Sequence, residues 1–325
     1  MASTLFEKIK KEIVTNPIVY FFLSVILLGA LFVRIYRLND LLGFYYDQGR
    51  DALVIWKLWH EGKPFLIGPV TGLSGIFLGP FYYYLIAPLY LIGKGDPVFP
   101  AFFLAFTTVL ALILLYILGW KMRSKVTGIV ASIIGSFSYF FVLGGRWLSN
   151  PAPMYFLSML LLWVMWGITT LEQTTKNKGQ IQNLWVIISL LIGISLQFES
   201  ASAVFYLPMI ALFAIWQRKK LPDKKTMVIA FSVFLFTILP QILFNYRHDN
   251  LLFKNIKKVI IEEKSFRNPL SLENLEVKKD YFWTVFSSKI FPNGFKFAPV
   301  FHMASIAGIL KLIKTKKNEI SLLLF

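Results

Sequence analysis

The chain alternates long apolar runs with short polar segments, and several runs approach the roughly 20 residues needed to cross about 30 Å of hydrocarbon. We predict membrane spans at 17–35, 98–120, 126–144, 152–171, 184–198, 202–216, 226–244 and 300–314. The composition agrees, because 56% of the 325 residues are hydrophobic and only 16% are charged, which is too apolar for a soluble domain. The sequence therefore predicts an all-α polytopic membrane protein.

The net charge of +17 lies largely in short segments between these spans, which argues against a nucleic-acid partner. Basic residues cluster at 121–125, 176–178, 218–225 and 314–317. Lysine and arginine concentrate in cytoplasmic loops, so the clusters predict a multi-pass plasma-membrane protein with a cytoplasmic N-terminus. The same rule makes 36–97 a first external loop and 245–299 a second, partly helical one.

The apolar run at 79–93 is ambiguous, because it is shorter than a full span. It contains Pro80 and Pro88 and is rich in tyrosine. A crossing here would place the 121–125 cluster outside. We therefore expect a helix lying in the outer interface, with tyrosine rings buried and their hydroxyls in water. A short tilted span is the alternative.

An acidic turn follows the first span at 45–51, and its carboxylates are candidates for chemistry. Partial desolvation beside the membrane suits Asp47 as a general base, and its oxygens could also bind a divalent metal. The structural alternative is that Asp47 is the N-cap of a helix running to Trp59. Arg50 is suited to bind a phosphate or to pair with a carboxylate, and the alternative for Arg50 and Asp51 is a solvated helical turn.

Further polar residues fall in the segments predicted to be external. Lys63, Arg146 and Arg247 are phosphate-binding candidates, with snorkelling interfacial charges as the alternative. We expect six more residues to line the site: Gln48, Asp51, Asn150, Glu199, Tyr83 and His248. The spans hold few of the ionisable groups that transporters carry. The sequence contains no zinc-binding or nucleotide-binding motif.

Five short segments stand in an order that resembles a known family: 34–38, 47–52, 78–84, 146–151 and 240–248. With the topology, they resemble the GT-C superfamily of membrane glycosyltransferases, in the protein O-mannosyltransferase and aminoarabinose-transferase group that includes RgtA/B/C/D-like enzymes. The resemblance implies a GT-C-type helix bundle with two interfacial helices in the first external loop. It implies a sugar on a polyprenyl phosphate as donor, and no required cofactor beyond an optional divalent metal.

By this resemblance, Asp47 is the leading catalytic carboxylate, while Arg50, Arg247 and Lys63 face the lipid phosphate. Three positions depart from the family pattern. Gln48 occupies the second acidic position of the motif, Asn150 stands where some relatives carry aspartate, and Glu199 stands where relatives often carry a basic residue or histidine.

The expected function is transfer of a hexosyl or pentosyl group to an extracytoplasmic lipid, glycan or protein acceptor at the outer membrane surface. The alternatives are a transporter or flippase of a lipid-linked glycan and a non-catalytic scaffold. We expect 1–325 to form a single transmembrane domain. Because the chain stops in the apolar stretch 321–325, we also expect further sequence beyond it.

Overall fold

The computed structural model describes residues 5–73, 75–262, 272–291 and 295–315, and nearly all of its regular structure is helical. The first helices are α1 (Leu5–Thr15), α2 (Pro17–Ile35), α3 (Leu38–Leu41), α4 (Tyr46–Glu61), α5 (Phe81–Ile92), α6 (Val98–Met122), α7 (Lys125–Phe137) and α8 (Tyr139–Arg146). They are followed by α9 (Met154–Thr170), α10 (Thr175–Phe198), α11 (Ser200–Ala203), α12 (Tyr206–Trp216), α13 (Lys224–Arg247), α14 (Leu251–Lys257), α15 (Leu272–Ile290) and α16 (Ala298–Thr315). The predicted all-α fold is confirmed. Residues 321–325 lie outside the described ranges.

Among the described residues, four helices are long and apolar enough to cross a membrane: α2, α6, α10 and α13. The pair α7 and α8 would add a fifth, although a bend of 62° separates its members. The continuous span predicted at 126–144 is therefore wrong in shape, and the one predicted at 202–216 is likewise divided into α11 and α12. The chain is a membrane protein, while the number and direction of its crossings stay predictions.

Several helices begin beside the cationic turns, and their first N–H groups are capped there. The side chains of Ser124, Thr174 and Asp223 each accept a hydrogen bond from the backbone N–H three residues further on, at 3.2, 3.3 and 2.9 Å. Such caps satisfy N–H groups that a helix start leaves unpaired. As a result α7, α10 and α13 all start at polar, basic segments and run into apolar sequence.

Helices α6 and α7 pack closely because small residues face the contact. A Cβ atom added to Gly128 would lie 2.5 Å from the carbonyl oxygen of Tyr116 on α6, so no larger residue fits at this crossing. Helices α9, α10 and α13 continue the bundle on the other side, with α6 packed on α9, and α10 packed on both α9 and α13.

The bend between α7 and α8 frees backbone carbonyl groups inside the bundle, and Arg34 satisfies them. This arginine is 1% exposed. It donates from Nη1 to the carbonyl oxygen of Ser136 at 3.0 Å and from Nη2 to that of Gly135 at 3.4 Å. Both carbonyls belong to the last turn of α7, which the bend at Ser138 leaves without partners from the next turn.

Arg146, the last residue of α8, in turn satisfies carbonyl groups at the end of α2. Its Nη1 donates to the carbonyl oxygen of Val33 at 2.6 Å, and its Nη2 donates to that of Tyr36 at 2.8 Å. A cation at a helix C-terminus also interacts favourably with the helix dipole. Helix α2 therefore caps α7 through Arg34, and α8 caps α2 through Arg146.

Helix α5 occupies the ambiguous apolar run. Its 12 residues extend about 18 Å at about 1.5 Å per residue, well short of a bilayer core. Tyr82, Tyr83 and Tyr90 are only 0%, 3% and 5% exposed, so the expectation that their hydroxyls lie in water is wrong. They are buried because α4, α6 and α10 pack against α5.

We expect Arg34→Met to lower the free energy of unfolding by about 2 kcal/mol, because the freed carbonyls of α7 would lose their donor in an apolar interior. Arg37→Met is the control, since the side chain of Arg37 is 58% exposed and pairs with Asp40 at the surface; its effect should stay below about 0.5 kcal/mol. Thermal unfolding in detergent micelles measures both. Equal midpoints for the two variants would contradict the capping role.

Candidate active site

The acidic turn forms the start of α4. This helix begins at Tyr46 with Tyr45 as its N-cap residue, so the alternative role of Asp47 as the N-cap is wrong. The backbone N–H of Tyr45 donates to Oε1 of Gln48 at 3.0 Å, and Gln48 thereby performs part of the capping from inside the helix. The carboxylate of Asp47 remains 65% exposed, at the positive end of the helix dipole.

Arg50 joins two carboxylates of very different exposure. Its Nη1 lies 2.9 Å from Oδ1 of Asp47. Its Nη2 and Nε lie 2.7 and 2.9 Å from Oδ1 of Asp51, whose side chain is 8% exposed. Arg50 itself is 23% exposed. Asp51 therefore fixes the orientation of the guanidinium from the buried side, while Nη1 points to the exposed carboxylate of Asp47.

Asp51 is the buried anchor of this network. The hydroxyl of Tyr83, from α5, donates to Oδ1 of Asp51 at 2.9 Å. Burial raises the pKa of Asp51 above its usual value, although the hydrogen bonds and charge of Arg50 act against the rise. Burial and the neighbouring Asp51 also raise the pKa of Tyr83, which keeps its hydroxyl protonated as a donor. Asp51 therefore positions Arg50, and its own buried carboxylate is inaccessible to a substrate.

Arg50 and Tyr83 also line a cavity of about 550 Å³. His248, at the end of α13, lines the same cavity; its Nδ1 lies 2.8 Å from the carbonyl oxygen of Phe244, and its ring stacks on that of Phe244. The remaining walls are mainly apolar: Tyr46, Val54, Pro64, Phe65, Leu66, Ile67, Gly68, Val70, Phe77 and Phe244. A largely apolar cavity with a few convergent polar groups is typical of a ligand site.

A second cavity, of about 510 Å³, lies along the outer face of α4. Arg50, Tyr46 and Val54 line both cavities, and Lys57 lines only the second. The sequence interpretation missed Lys57. Lys57 lies seven residues after Arg50, and residues seven apart share a helix face. This spacing could have identified Lys57 from the sequence.

Residues 68–73 and 75–78 form a hairpin-like segment that borders the first cavity. The N–H of Gly68 donates to the carbonyl of Leu78 at 2.8 Å, and a Cβ atom on Gly68 would lie only 2.1 Å from the carbonyl oxygen of Gly79. Gln241 on α13 and Asn255 on α14 donate to the carbonyls of Phe77 and Gly75 at 3.2 and 2.9 Å. The segment therefore connects the two predicted external loops.

Three of the predicted site residues form contacts at the turn that follows α8. Gln48 donates through Nε2 to the carbonyl of Leu148 at 2.9 Å, Arg146 caps α2, and Asn150 donates through Nδ2 to the carbonyl of Phe198 at 2.5 Å. These contacts are structural, since each joins the turn to a different helix.

Asp47 lines neither cavity and is connected to them through Arg50, and the other predicted residues lie outside both cavities as well. Lys63 is 70% exposed and pairs with Glu61 at 2.5 Å. Glu199 accepts a hydrogen bond from the N–H of Ala201 at 3.1 Å and caps the short helix α11. Arg247 is exposed at the end of α13, next to His248.

The donor set for a metal is incomplete around Asp47. Across the described part of the chain, no three His, Asp or Glu side chains form a group that could hold a metal ion. Asp47 and Asp51 are both paired with Arg50 instead.

A known family matches the part of the chain that contains α5 and most of α13, but not α4. The family model described as dolichyl-phosphate-mannose-protein mannosyltransferase matches residues 78–244, which is just over half of the chain and runs from the residues before α5 to near the end of α13. The acidic turn at 45–51 precedes the matched segment. No curated protein and no solved structure matched. On the family match, the chain belongs to the dolichyl-phosphate-mannose-protein mannosyltransferase family of GT-C membrane glycosyltransferases.

Proposed function

We propose that this membrane glycosyltransferase moves a hexosyl or pentosyl group from a polyprenyl phosphate to a hydroxyl group of an extracytoplasmic lipid, glycan or protein. The reaction takes place at the outer membrane surface, around Asp47 and the cavity beside it. The family supports a polyprenyl-phosphate sugar as donor in general. The sugar, the acceptor and the membrane face belong to the proposal.

The observation that carries this proposal is the double role of Arg50. One edge of its guanidinium pairs with the exposed carboxylate of Asp47, and the same side chain lines the cavity with Tyr83 and His248. A general base and a cation for a phosphate are therefore placed side by side. A transferase needs this pairing, because the attacking hydroxyl and the leaving phosphate meet at one carbon atom.

The chemistry follows from these positions. Asp47 accepts the proton of the acceptor hydroxyl while the hydroxyl oxygen forms a bond to the anomeric carbon of the donor. The bond from that carbon to the phosphate oxygen breaks, and its electron pair stays on the phosphate. Arg50 stabilises the charge that develops on the leaving group, since a guanidinium binds phosphate through two N–H groups. His248 offers a further polar group in the same cavity.

Helix α13 indicates which membrane face the cavity opens on. This helix begins at Lys224, shortly after the basic residues 218–220, and its far end supplies Phe244 and His248 to the cavity. At about 1.5 Å per residue its length is about 36 Å, enough to cross a bilayer. The cationic turn and the cavity therefore lie at opposite ends of one span. If the cationic turn is cytoplasmic, the cavity opens on the outer side.

We expect Asp47→Asn to lower the rate of sugar transfer by at least about 100-fold, because the amide cannot accept the proton. Asp40→Asn is the matched control: Asp40 is 52% exposed and pairs with Arg37 three residues earlier, at 2.9 Å, in the same predicted loop. It should change the rate by less than about twofold. Transfer is measured in membranes that contain the native acceptor and labelled polyprenyl-phosphate sugar. Normal transfer by inserted Asp47→Asn protein would disprove the role of Asp47.

The orientation has a separate test, since the natural chain contains no cysteine. A cysteine introduced by Lys63→Cys, near the cavity, should react with a membrane-impermeant maleimide added to intact cells. One introduced by Arg123→Cys, in the turn between α6 and α7, should react only after the membrane is opened. Both side chains replaced are exposed, so accessibility is not limited by packing. The reverse labelling pattern would contradict the proposed face.

A further inference from the structure

We propose that Gln48 is a positioning residue for Asp47, and that this chain requires an amide rather than a carboxylate at that position. The inference rests on the proposed function, because it assigns Gln48 a role in transfer through its neighbour. It concerns the residue that follows Asp47 in the first turn of α4.

The side chain of Gln48 uses both ends of its amide. Its Oε1 accepts from the backbone N–H of Tyr45 at 3.0 Å, and its Nε2 donates to the carbonyl oxygen of Leu148 at 2.9 Å. The residue is 3% exposed, and Leu148 is 2% exposed. The two partners fix the orientation of the amide, because turning it over would place N–H against N–H and oxygen against oxygen.

The bond to Leu148 joins the start of α4 to the helix bundle. Leu148 lies between Arg146, which donates to the end of α2, and Asn150, which donates to the end of α10. Gln48 therefore connects the first turn of α4 to a segment that two other helices hold in place. Asp47 precedes Gln48 in the same turn. The position and orientation of the Asp47 carboxylate relative to Arg50 and the cavity therefore depend on this connection.

A carboxylate cannot replace the amide here. It has no N–H to donate to the carbonyl of Leu148, and it would place a buried negative charge against that oxygen. Only a protonated carboxyl group could donate in the same direction. We conclude that the second acidic position of the motif has a positioning role in this chain, and that the proton-accepting role falls to the exposed Asp47.

The test compares Gln48→Glu with Gln48→Met in the full chain, purified at pH 6 and assayed across pH 5.5–8.5. The introduced carboxyl group should have a strongly raised pKa, since it is buried against a carbonyl. At pH 8 we expect Gln48→Glu to reduce kcat about 100-fold, with the donor KM changed less than about threefold. The ratio of its kcat to that of the natural protein should rise towards 1 as the pH falls.

Gln48→Met separates this effect from simple loss of packing, because methionine has similar volume and does not titrate. Its kcat ratio to the natural protein should stay constant across the same pH range. A flat ratio for Gln48→Glu, or normal kcat at pH 8, would overturn the positioning role. If that ratio is flat while Asp47→Asn abolishes transfer, the proposed function stands and this inference fails.

Thermal unfolding provides a readout that needs no substrate. A carboxyl group whose pKa is raised in the folded state destabilises it increasingly as the pH rises from about 4.3 through the folded-state pKa. The unfolding midpoint of Gln48→Glu should therefore fall relative to Gln48→Met as the pH rises. If it does so and the natural protein transfers no sugar, the contact with Leu148 is upheld and the proposed function fails. Parallel midpoints for the two variants would contradict the contact.

Discussion

The structure depends on satisfying backbone carbonyl groups at helix ends within an apolar bundle. Such groups have no partner inside their own helix, and neither lipid nor aliphatic side chains can donate a hydrogen bond to them. The bundle meets this need with polar side chains from neighbouring segments: Arg34, Arg146, Asn150 and Lys220 all donate to such carbonyls. The donor and the carbonyl usually belong to different helices, so each contact also fixes how two helices lie together. Stability and positioning are thus achieved by the same hydrogen bonds.

This constraint explains how the exposed turn that we propose as catalytic is held in place. Helix α4 is connected to the capped turn after α8 through Gln48, and to α5 through the buried Asp51 and Tyr83. Trp59 adds a hydrogen bond to the carbonyl of Ala87 at 3.1 Å. These contacts use the inner face of α4. The carboxylate of Asp47 stays exposed and pairs with the outer edge of Arg50, an arrangement that suits the proposed reaction between a lipid-borne donor and an external acceptor.

The fold was predictable where one physical property decides it. Apolar length and Pro17 at the start of a helix sufficed for α2, and local pattern placed α6 and α13 within a few residues. The role of Arg146 was not predictable, because its partners lie 113 and 110 residues away and a basic residue beside a span resembles a phosphate ligand equally well. The bend after Phe137 contains no proline that would have marked it.

Within the site, sequence pattern identified Asp47, Arg50 and Asp51 together but could not assign their exposure. Asp51 is buried because it lies one turn after Asp47 on the face that meets Tyr83, and that contact exists only once α5 packs on α4. The cavity itself combines α4, α5, residues 64–70, Phe77 and the end of α13, so no single stretch of sequence contains it. His248 and Phe244 reach it only because α13 ends there.

The most direct measurement follows both products of the reaction. Purified protein in liposomes receives polyprenyl phosphate carrying a labelled sugar, together with an extract that contains the native acceptor. The central claim predicts that the label leaves the lipid for the acceptor, and that one polyprenyl phosphate appears for each sugar transferred. Movement of the intact labelled lipid across the bilayer, with its sugar–phosphate bond unbroken, would contradict it.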